Sequence, residues 1–205
     1  NLVVSKWLDD DLKYLAQKTA YSYSSYSVSG IEREFAFYLE KYDVKQYRGE
    51  TYYIIPHQEI IIPRQRATIS EVEITDSLPY PINGHKHPAG ATTFSATDIE
   101  YITSSTDISL LITSNGIQEA TIRFLENLKM FGTTILLMRT RSILRIMDEP
   151  VSLDLSEKLN ELQAKMELPT MQQYSYSSSY ATPSYTTSKN RKKKTKEPDW
   201  DDWTV

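Results

Sequence analysis

The chain has 205 residues, of which 40% are hydrophobic and 24% are charged, and its net charge is −4. This length fits one medium-sized domain with tails. Because the chain contains no cysteine, a disulfide framework and a thiolate metal site are excluded. No apolar run approaches the length of a membrane span, and the first residues lack the layout of a signal peptide. We therefore expect a soluble, intracellular and cytoplasmic protein without membrane contact.

The first predicted element is an amphipathic helix over residues 7–18, with leucines at helical spacing and Ser5 as its cap. The aspartates at 9–11 lie in its first turn, which favours compensation of the helix dipole over a metal site. Residues 21–30 are rich in serine and tyrosine and predict a loop. Residues 31–39 are rich in aromatic and β-forming side chains and predict a strand.

Two glutamates, Glu32 and Glu34, lie near the start of this predicted strand. Because they are two residues apart, both project to the same face, and strand geometry does not choose between them. Each is also an ordinary charged residue for the edge of a strand. Residues 52–62 and 68–75 predict two further strands, and His57 is interpreted as structural or exposed.

Two of the three histidines, His85 and His87, are separated by one residue. In an extended segment their side chains point to the same side, so they can bind one ion while Lys86 turns away. Pro88 then ends the strand, because proline has no N–H for a sheet ladder. Two imidazoles and a carboxylate form the three-ligand set of a catalytic zinc, which keeps a fourth position for water.

The carboxylate of this set is Asp98, which follows Ser95 in a Ser-x-x-Asp sequence at a predicted helix start. The same sequence is typical of a capping box, with Ser95 as the N-cap and an acid at the third helical position. A loop between the strand and this helix can bring Asp98 back over the histidines. The sequence is compatible with either role.

The remaining predicted elements are two helices with strands between them. The pattern predicts a helix after Asp98, a buried strand over 108–112, a hairpin turn at Asn115-Gly116 and a strand over 117–125. Residues 133–138 and 142–147 predict two more strands or one bent strand. A helix is predicted over 152–167, and its apolar stripe is expected to pack on the domain, with a helical partner or self-association as the alternative.

The composition changes beyond Thr170 to serine, tyrosine and threonine, followed by a basic run over 189–196. Such a segment cannot bury enough apolar surface to fold alone, so we expect a disordered tail. Its basic run is expected to be solvated, and nucleic acid is not an expected partner. Trp200 and Trp203, which stand among acidic residues, indicate a docking site for a protein partner.

The order His-x-His-Pro, six residues, Ser-x-x-Asp resembles the JAMM motif of the MPN+ metalloproteases at every motif position. In that family the two histidines and the aspartate bind zinc, the serine helps to stabilise the tetrahedral intermediate, and an upstream glutamate is the general base. The resemblance implies that His85, His87 and Asp98 bind Zn2+ and that Ser95 is the donor to the intermediate. Glu34 is the implied base.

The choice of Glu34 comes from aligning the apolar residues 35–39 with the hydrophobic strand that follows the family's glutamate. Glu32 is the alternative base. Phe37 and Lys41 stand where the family has glycines, which is a departure from its pattern.

The resemblance further implies an α/β fold of the MPN (JAB) type, which is cytidine-deaminase-like and has a mostly antiparallel central sheet flanked by helices. Residues 1–150 would form the catalytic domain, 151–169 a C-terminal helix and 170–205 the tail. The implied activity is hydrolysis of amide bonds, in particular isopeptide bonds to ubiquitin or a ubiquitin-like modifier, so a protein conjugate is the expected partner.

Two other classes of function are alternatives to this one. A metal-free scaffold of MPN type would use the sheet and the tail for assembly, and the intact ligand set speaks against it. A zinc deaminase would need a glutamate two residues after its histidine and a pair of cysteines, which this chain lacks.

Overall fold

The computed structural model describes residues 1–19, 33–67, 72–76, 78–88, 90–128, 132–140 and 142–167. Within these ranges the chain forms three helices, α1 (Lys6–Thr19), α2 (Ala96–Ser105) and α3 (Leu155–Lys165). The strands in the same ranges are β1 (Leu2–Ser5), β2 (Ala36–Leu39), β3 (Asp43–Tyr47), β4 (Glu50–Ile55), β5 (Gln65–Ala67), β6 (Val72–Ile74), β7 (Ile82–Lys86), β8 (Ile108–Thr113), β9 (Gly116–Leu128), β10 (Gly132–Thr140), β11 (Ile143–Ile146) and β12 (Met166–Glu167). All of them belong to one structural unit, residues 1–170.

A five-stranded sheet in the order β10-β9-β8-β7-β2 lies at the centre of this unit. Its β7 and β8 run parallel, and its other neighbouring pairs run antiparallel. A four-stranded sheet (β11-β1-β4-β3) and a three-stranded sheet (β12-β5-β6) accompany it. The prediction of an α/β fold with a mostly antiparallel central sheet is therefore confirmed.

The central sheet has a helix on each face. Leu8, Leu12 and Leu15 of α1 are fully buried in a core with Phe37 and Leu110. Alternate residues of the same strands face the other way, where Leu111 packs with Phe94 and Ile102 of the α2 side. His85 pairs directly with Leu111 of the neighbouring strand, so both side chains lie on the α2 face of the sheet.

The aspartates of α1 do more than compensate the helix dipole. Buried Asp9 accepts a hydrogen bond from the Ile117 main-chain N–H at 2.8 Å and pairs with Arg145. Asp11 lies 2.8 Å from Nε2 of His57. These carboxylates therefore attach α1 to the β8–β9 hairpin and to the loop after β4.

The hairpin turn predicted at Asn115-Gly116 joins β8 to β9. Gly116 has a φ of +92°, a backbone conformation that residues other than glycine rarely adopt. A register shift between Leu111 and Ile112 places one extra residue, Gln118, in β9. This β-bulge explains why the apolar residues of β9 alternate only loosely along the sequence.

The apolar stripe of α3 packs on the domain, as the sequence predicted. Leu162 is fully buried in the α1-side core, and Leu159 and Met166 pack against that core. No helix in the described ranges is both long enough and apolar enough to cross a membrane.

Several predicted boundaries were wrong. The strand predicted over 31–39 begins only at Ala36, and the one predicted over 52–62 ends at Ile55, because Pro56 cannot donate to a ladder. Strands β1, β3, β5 and β12 were not predicted, and β12 lies where the helix predicted over 152–167 was expected to continue. β3 is exposed along its whole length and β1 is buried along its whole length, so neither shows the alternation that identifies a strand.

Some predictions fall outside the described residues. They concern the serine- and tyrosine-rich loop over 21–30, Glu32, the first part of the strand predicted over 68–75, and the tail with Trp200 and Trp203.

Candidate metal centre

The two histidines lie at the C-terminal end of β7, which is paired with β2 on one side and β8 on the other. The main-chain N–H of His87 donates to Ile112 at 2.9 Å and continues the pairing with β8 past the end of the strand. Lys86, between the histidines, is fully buried and donates from Nζ to the Arg33 carbonyl at 3.0 Å. The predicted alternation of side chains along this strand is therefore present.

Asp98 is the third residue of α2, and Ser95 is its N-cap. Oγ of Ser95 accepts from the Asp98 N–H at 3.2 Å, and Oδ2 of Asp98 accepts from the Ser95 N–H at 2.6 Å. The capping box is therefore complete. This role does not compete with a place beside the histidines, because the carboxylate has lone pairs enough for both.

Three side-chain groups converge on one point. The two Nε2 atoms of His85 and His87 are 2.9 Å apart. Oδ1 of Asp98 lies 3.2 Å from Nε2 of His85, and its Oδ2 lies 3.3 Å from Nε2 of His87. At most 19% of each of these side chains is exposed, so the cluster is largely buried.

These separations fit the donor atoms of a metal site. With ligand bonds of about 2.0–2.1 Å, the corners of a tetrahedron around zinc are about 3.3 Å apart. The three observed distances are close to that value. Two imidazole nitrogens and a carboxylate suit zinc and also other divalent first-row cations, so the geometry supports a metal site without selecting the metal.

Asp98 and His87 stabilise each other's charged forms. Burial acts to raise the pKa of Asp98, but hydrogen bonds from His85 and His87 outweigh it and hold that pKa well below its ordinary value. Burial likewise acts to lower the pKa of His87, yet the hydrogen bond to Asp98 leaves it raised. The carboxylate is therefore ionised at neutral pH, as a metal ligand must be.

Glu34, two residues before β2, lies on the same face of the sheet as the cluster. Ala36 pairs with His85, and the Lys86 N–H donates to the Phe35 carbonyl at 2.8 Å. Continuing this register places Glu34 opposite His87 and on the same face of the sheet. Glu34 is 7% exposed, and burial raises the pKa of its carboxyl although the charges of both histidines oppose the rise.

The segment that carries Glu34 is held from two sides. The buried amide of Gln65 accepts from the Ala36 N–H at 2.6 Å and donates to the Ala36 carbonyl at 3.1 Å. On the opposite side, Lys86 holds the Arg33 carbonyl. Glu34 is therefore flanked by main-chain groups with defined partners.

Ser95 is exposed, and its Oγ acts as an acceptor in the capping box. A hydroxyl that accepts through its oxygen still has its hydrogen available for donation to a ligand.

His57 lies apart from this cluster and has a structural role, which was one of the two roles predicted for it. It is 6% exposed, contacts Asp11 through Nε2, and accepts at Nδ1 from the Val151 N–H at 2.6 Å.

Sequence reasoning missed the residues that support this cluster. Phe94, Glu119 and Arg139 lie beside α2, and Gln65 lies beside β2. Glu119 gave no clear signal, because the predicted strand over 117–125 also contains Gln118 and Arg123. Its partners come from separate segments and leave no local pattern.

Comparison of the chain with protein-family models gives no match, and comparison with curated proteins gives none either. The functional interpretation therefore depends on the geometry of the cluster and on the motif.

Proposed function

We propose that this protein is a zinc-dependent peptidase of JAMM type. Its substrates would be amide bonds, in particular isopeptide bonds to ubiquitin or a ubiquitin-like modifier. The observation that carries the proposal is the convergence of His85, His87 and Asp98 within 3.3 Å of one another. The buried carboxyl of Glu34 on the same face adds a group suited to proton transfer.

His85, His87 and Asp98 would hold the ion through two nitrogens and one carboxylate. When bound, zinc polarises a carbonyl and lowers the pKa of water to about 7. Zinc is the proposed ion. A set of three protein ligands is typical of catalytic zinc sites, which keep a position for water or substrate.

The protein's own groups supply the proton transfers. Glu34 takes a proton from water as the oxygen of that water attacks the amide carbon. It then gives the proton to the nitrogen when the C–N bond breaks, so the amine leaves neutral. A carboxyl whose pKa is raised by burial toward neutrality serves both steps better than an exposed one. Ser95 donates a hydrogen bond to the carbonyl oxygen as it becomes negative.

The layout of the chain around the motif supports an MPN-type fold as part of the same proposal. The motif begins on an inner strand of a mostly antiparallel sheet and ends in the first turn of a helix on one face. Phe37 stands where the family has a glycine, and in this chain the residue paired with it, Gly84, is a glycine. The ring of Phe37 occupies the space that a side chain at position 84 would fill.

The test measures bound zinc and cleavage of ubiquitin-like conjugates for the wild type, Glu34→Gln and Glu32→Gln. We expect Glu34→Gln to keep zinc and to lose turnover by about 10²–10⁴-fold, because the amide cannot accept the proton. Glu32→Gln is the matched control and should behave as wild type. Loss in Glu32→Gln alone would transfer the role to Glu32. Full activity in both variants would refute the mechanism, and a wild type without bound metal would favour the scaffold.

Ser95 needs a control for its capping role. Ser95→Ala should lose about 10²–10³-fold in turnover, but it also removes a cap worth about 1 kcal/mol. Ser95→Gly removes the same hydroxyl while costing the cap only a few tenths of a kcal/mol. Equal loss of turnover in both variants is expected if the hydroxyl is the donor, whereas normal turnover in Ser95→Gly would assign Ser95 to capping alone.

A further inference from the structure

Glu119 is a buried charge that the proposed reaction does not use. It lies on β9, between β8 and β10, and is 0% exposed. Leu111 of β8 pairs with both His85 and Glu119, so these three residues form one row across the α2 face. Burying a carboxylate is unfavourable unless specific partners compensate for the lost hydration, so its contacts indicate why it is there.

The contacts of Glu119 are to the residue just before α2. Its Oε2 accepts from the Phe94 N–H at 2.8 Å. Its Oε1 lies 3.6 Å from Nε of Arg139, which is an ion-pair distance but too long for a hydrogen bond. Arg139 in turn donates from Nη2 to the Phe94 carbonyl at 3.2 Å. The N–H and the carbonyl of Phe94 are thus held by a pair of opposite charges.

Phe94 links this pair to the proposed metal ligands. It is 5% exposed, and its ring centroid is 5.8 Å from that of His85. It directly precedes Ser95, whose capping box with Asp98 makes the first turn of α2 a closed unit. Residues 91–93, which lead into Phe94, are exposed. Phe94 therefore attaches the chain that leads into α2 to the central sheet.

We infer that Glu119, together with Arg139, is a positioning residue that places Asp98 and Ser95 against the two histidines. The inference rests on the proposed metal site. Glu119 does not touch the ligands. It holds the main chain of Phe94, and the capping box transmits that position to the Asp98 carboxylate.

The test uses the full chain and cobalt(II), whose visible absorption reports four-coordinate binding. We expect Glu119→Ala to weaken cobalt binding by about 10- to 100-fold, as is typical when groups that orient metal ligands are removed. Glu119→Gln keeps an oxygen for the Phe94 N–H and should recover most of the affinity. Arg139→Met, at a half-exposed position, removes the other half of the pair and should weaken binding in the same direction.

Ile122→Ala is the control for general destabilisation. Ile122 is 1% exposed and packs in the α1-side core, away from Phe94. It should lower the free energy of unfolding while leaving cobalt affinity within about twofold, because no contact to the α2 start is lost. Glu119→Ala that binds cobalt as the wild type does, with the same absorption, would overturn the inference.

Hydrogen exchange of the metal-free protein separates this inference from the proposed function. Glu119→Ala should lower protection of the Phe94 and Ser95 amides while the amides of β8 keep theirs. If the wild type bound no metal but this local loss appeared, the proposed function would fail and the positioning role of Glu119 would stand. Unchanged protection in Glu119→Ala and Arg139→Met would refute the positioning role.

Discussion

Replacement of Gly84 by alanine tests the packing that supports the histidine strand. Gly84 lies on β7 directly before His85 and pairs with Phe37 of β2. A Cβ at this position would lie 2.2 Å from Cζ of Phe37 and 2.6 and 2.7 Å from its two Cε atoms. Real Cβ contacts are not found at such distances, so the ring or the strand must move.

The cost follows from where Phe37 lies. Its ring is fully buried in the α1-side core, so it cannot swing into solvent. Overpacking of this kind costs about 1–3 kcal/mol, and replacing a strand glycine with alanine returns about 0.5–1 kcal/mol of chain entropy. We therefore expect Gly84→Ala to lower the free energy of unfolding by about 1–2 kcal/mol.

A second substitution makes the prediction specific. The atoms that Cβ would meet are the far atoms of the ring, and leucine has none of them. In a Phe37→Leu background, Gly84→Ala should be neutral or stabilising, which corresponds to a coupling energy of about 1–3 kcal/mol. Urea denaturation of the four proteins in chelator measures this cycle. A coupling energy of zero, or a Gly84→Ala variant as stable as wild type, would refute the reasoning.

Three further predictions concern the surroundings of the site. His57→Ala should lower the free energy of unfolding by about 1–3 kcal/mol, because the Val151 N–H loses its acceptor. Zinc affinity should stay unchanged in a chelator competition. Zinc affinity should fall as the pH is lowered from about 8 to about 6, because the hydrogen bond to Asp98 holds the pKa of His87 above its ordinary value and the imidazole must be neutral to bind metal. An affinity that stays constant over this range would contradict this prediction. Lys86→Met should lower the free energy of unfolding by about 1.5–3 kcal/mol, because the carbonyl of Arg33, directly before the proposed base, loses a charged donor. Turnover should fall while zinc is retained. Unchanged denaturation and kinetics would show that this hydrogen bond contributes nothing.

The elements that the sequence predicted well are those whose determinants are local. The first helix and the last helix each have apolar residues at helical spacing, and both bury them in the core. The hairpin at Gly116 requires a residue that tolerates positive φ, and the glycine itself is the signal. In contrast, β3 was missed because an exposed strand that pairs with one neighbour has no apolar alternation to detect.

The candidate metal ligands were predictable because they lie within fifteen residues and each has a local geometric role. Two histidines at an interval of two share one side of a strand, and Ser95 and Asp98 form a capping box that requires no distant partner. Sequence alone left open whether Asp98 caps the helix or faces the histidines. In the structure it does both, because one carboxylate oxygen can serve two neighbours.

What the sequence determined by itself is therefore the identity of the three candidate ligands and the local turns that carry them. Only the tertiary structure decided that Glu34 lies opposite His87, that Phe37 covers Gly84, and that Glu119 holds the residue before α2. Each of these contacts depends on which strand pairs with which and in what register. Register is set by burial across the whole sheet, and no short stretch of sequence contains that information.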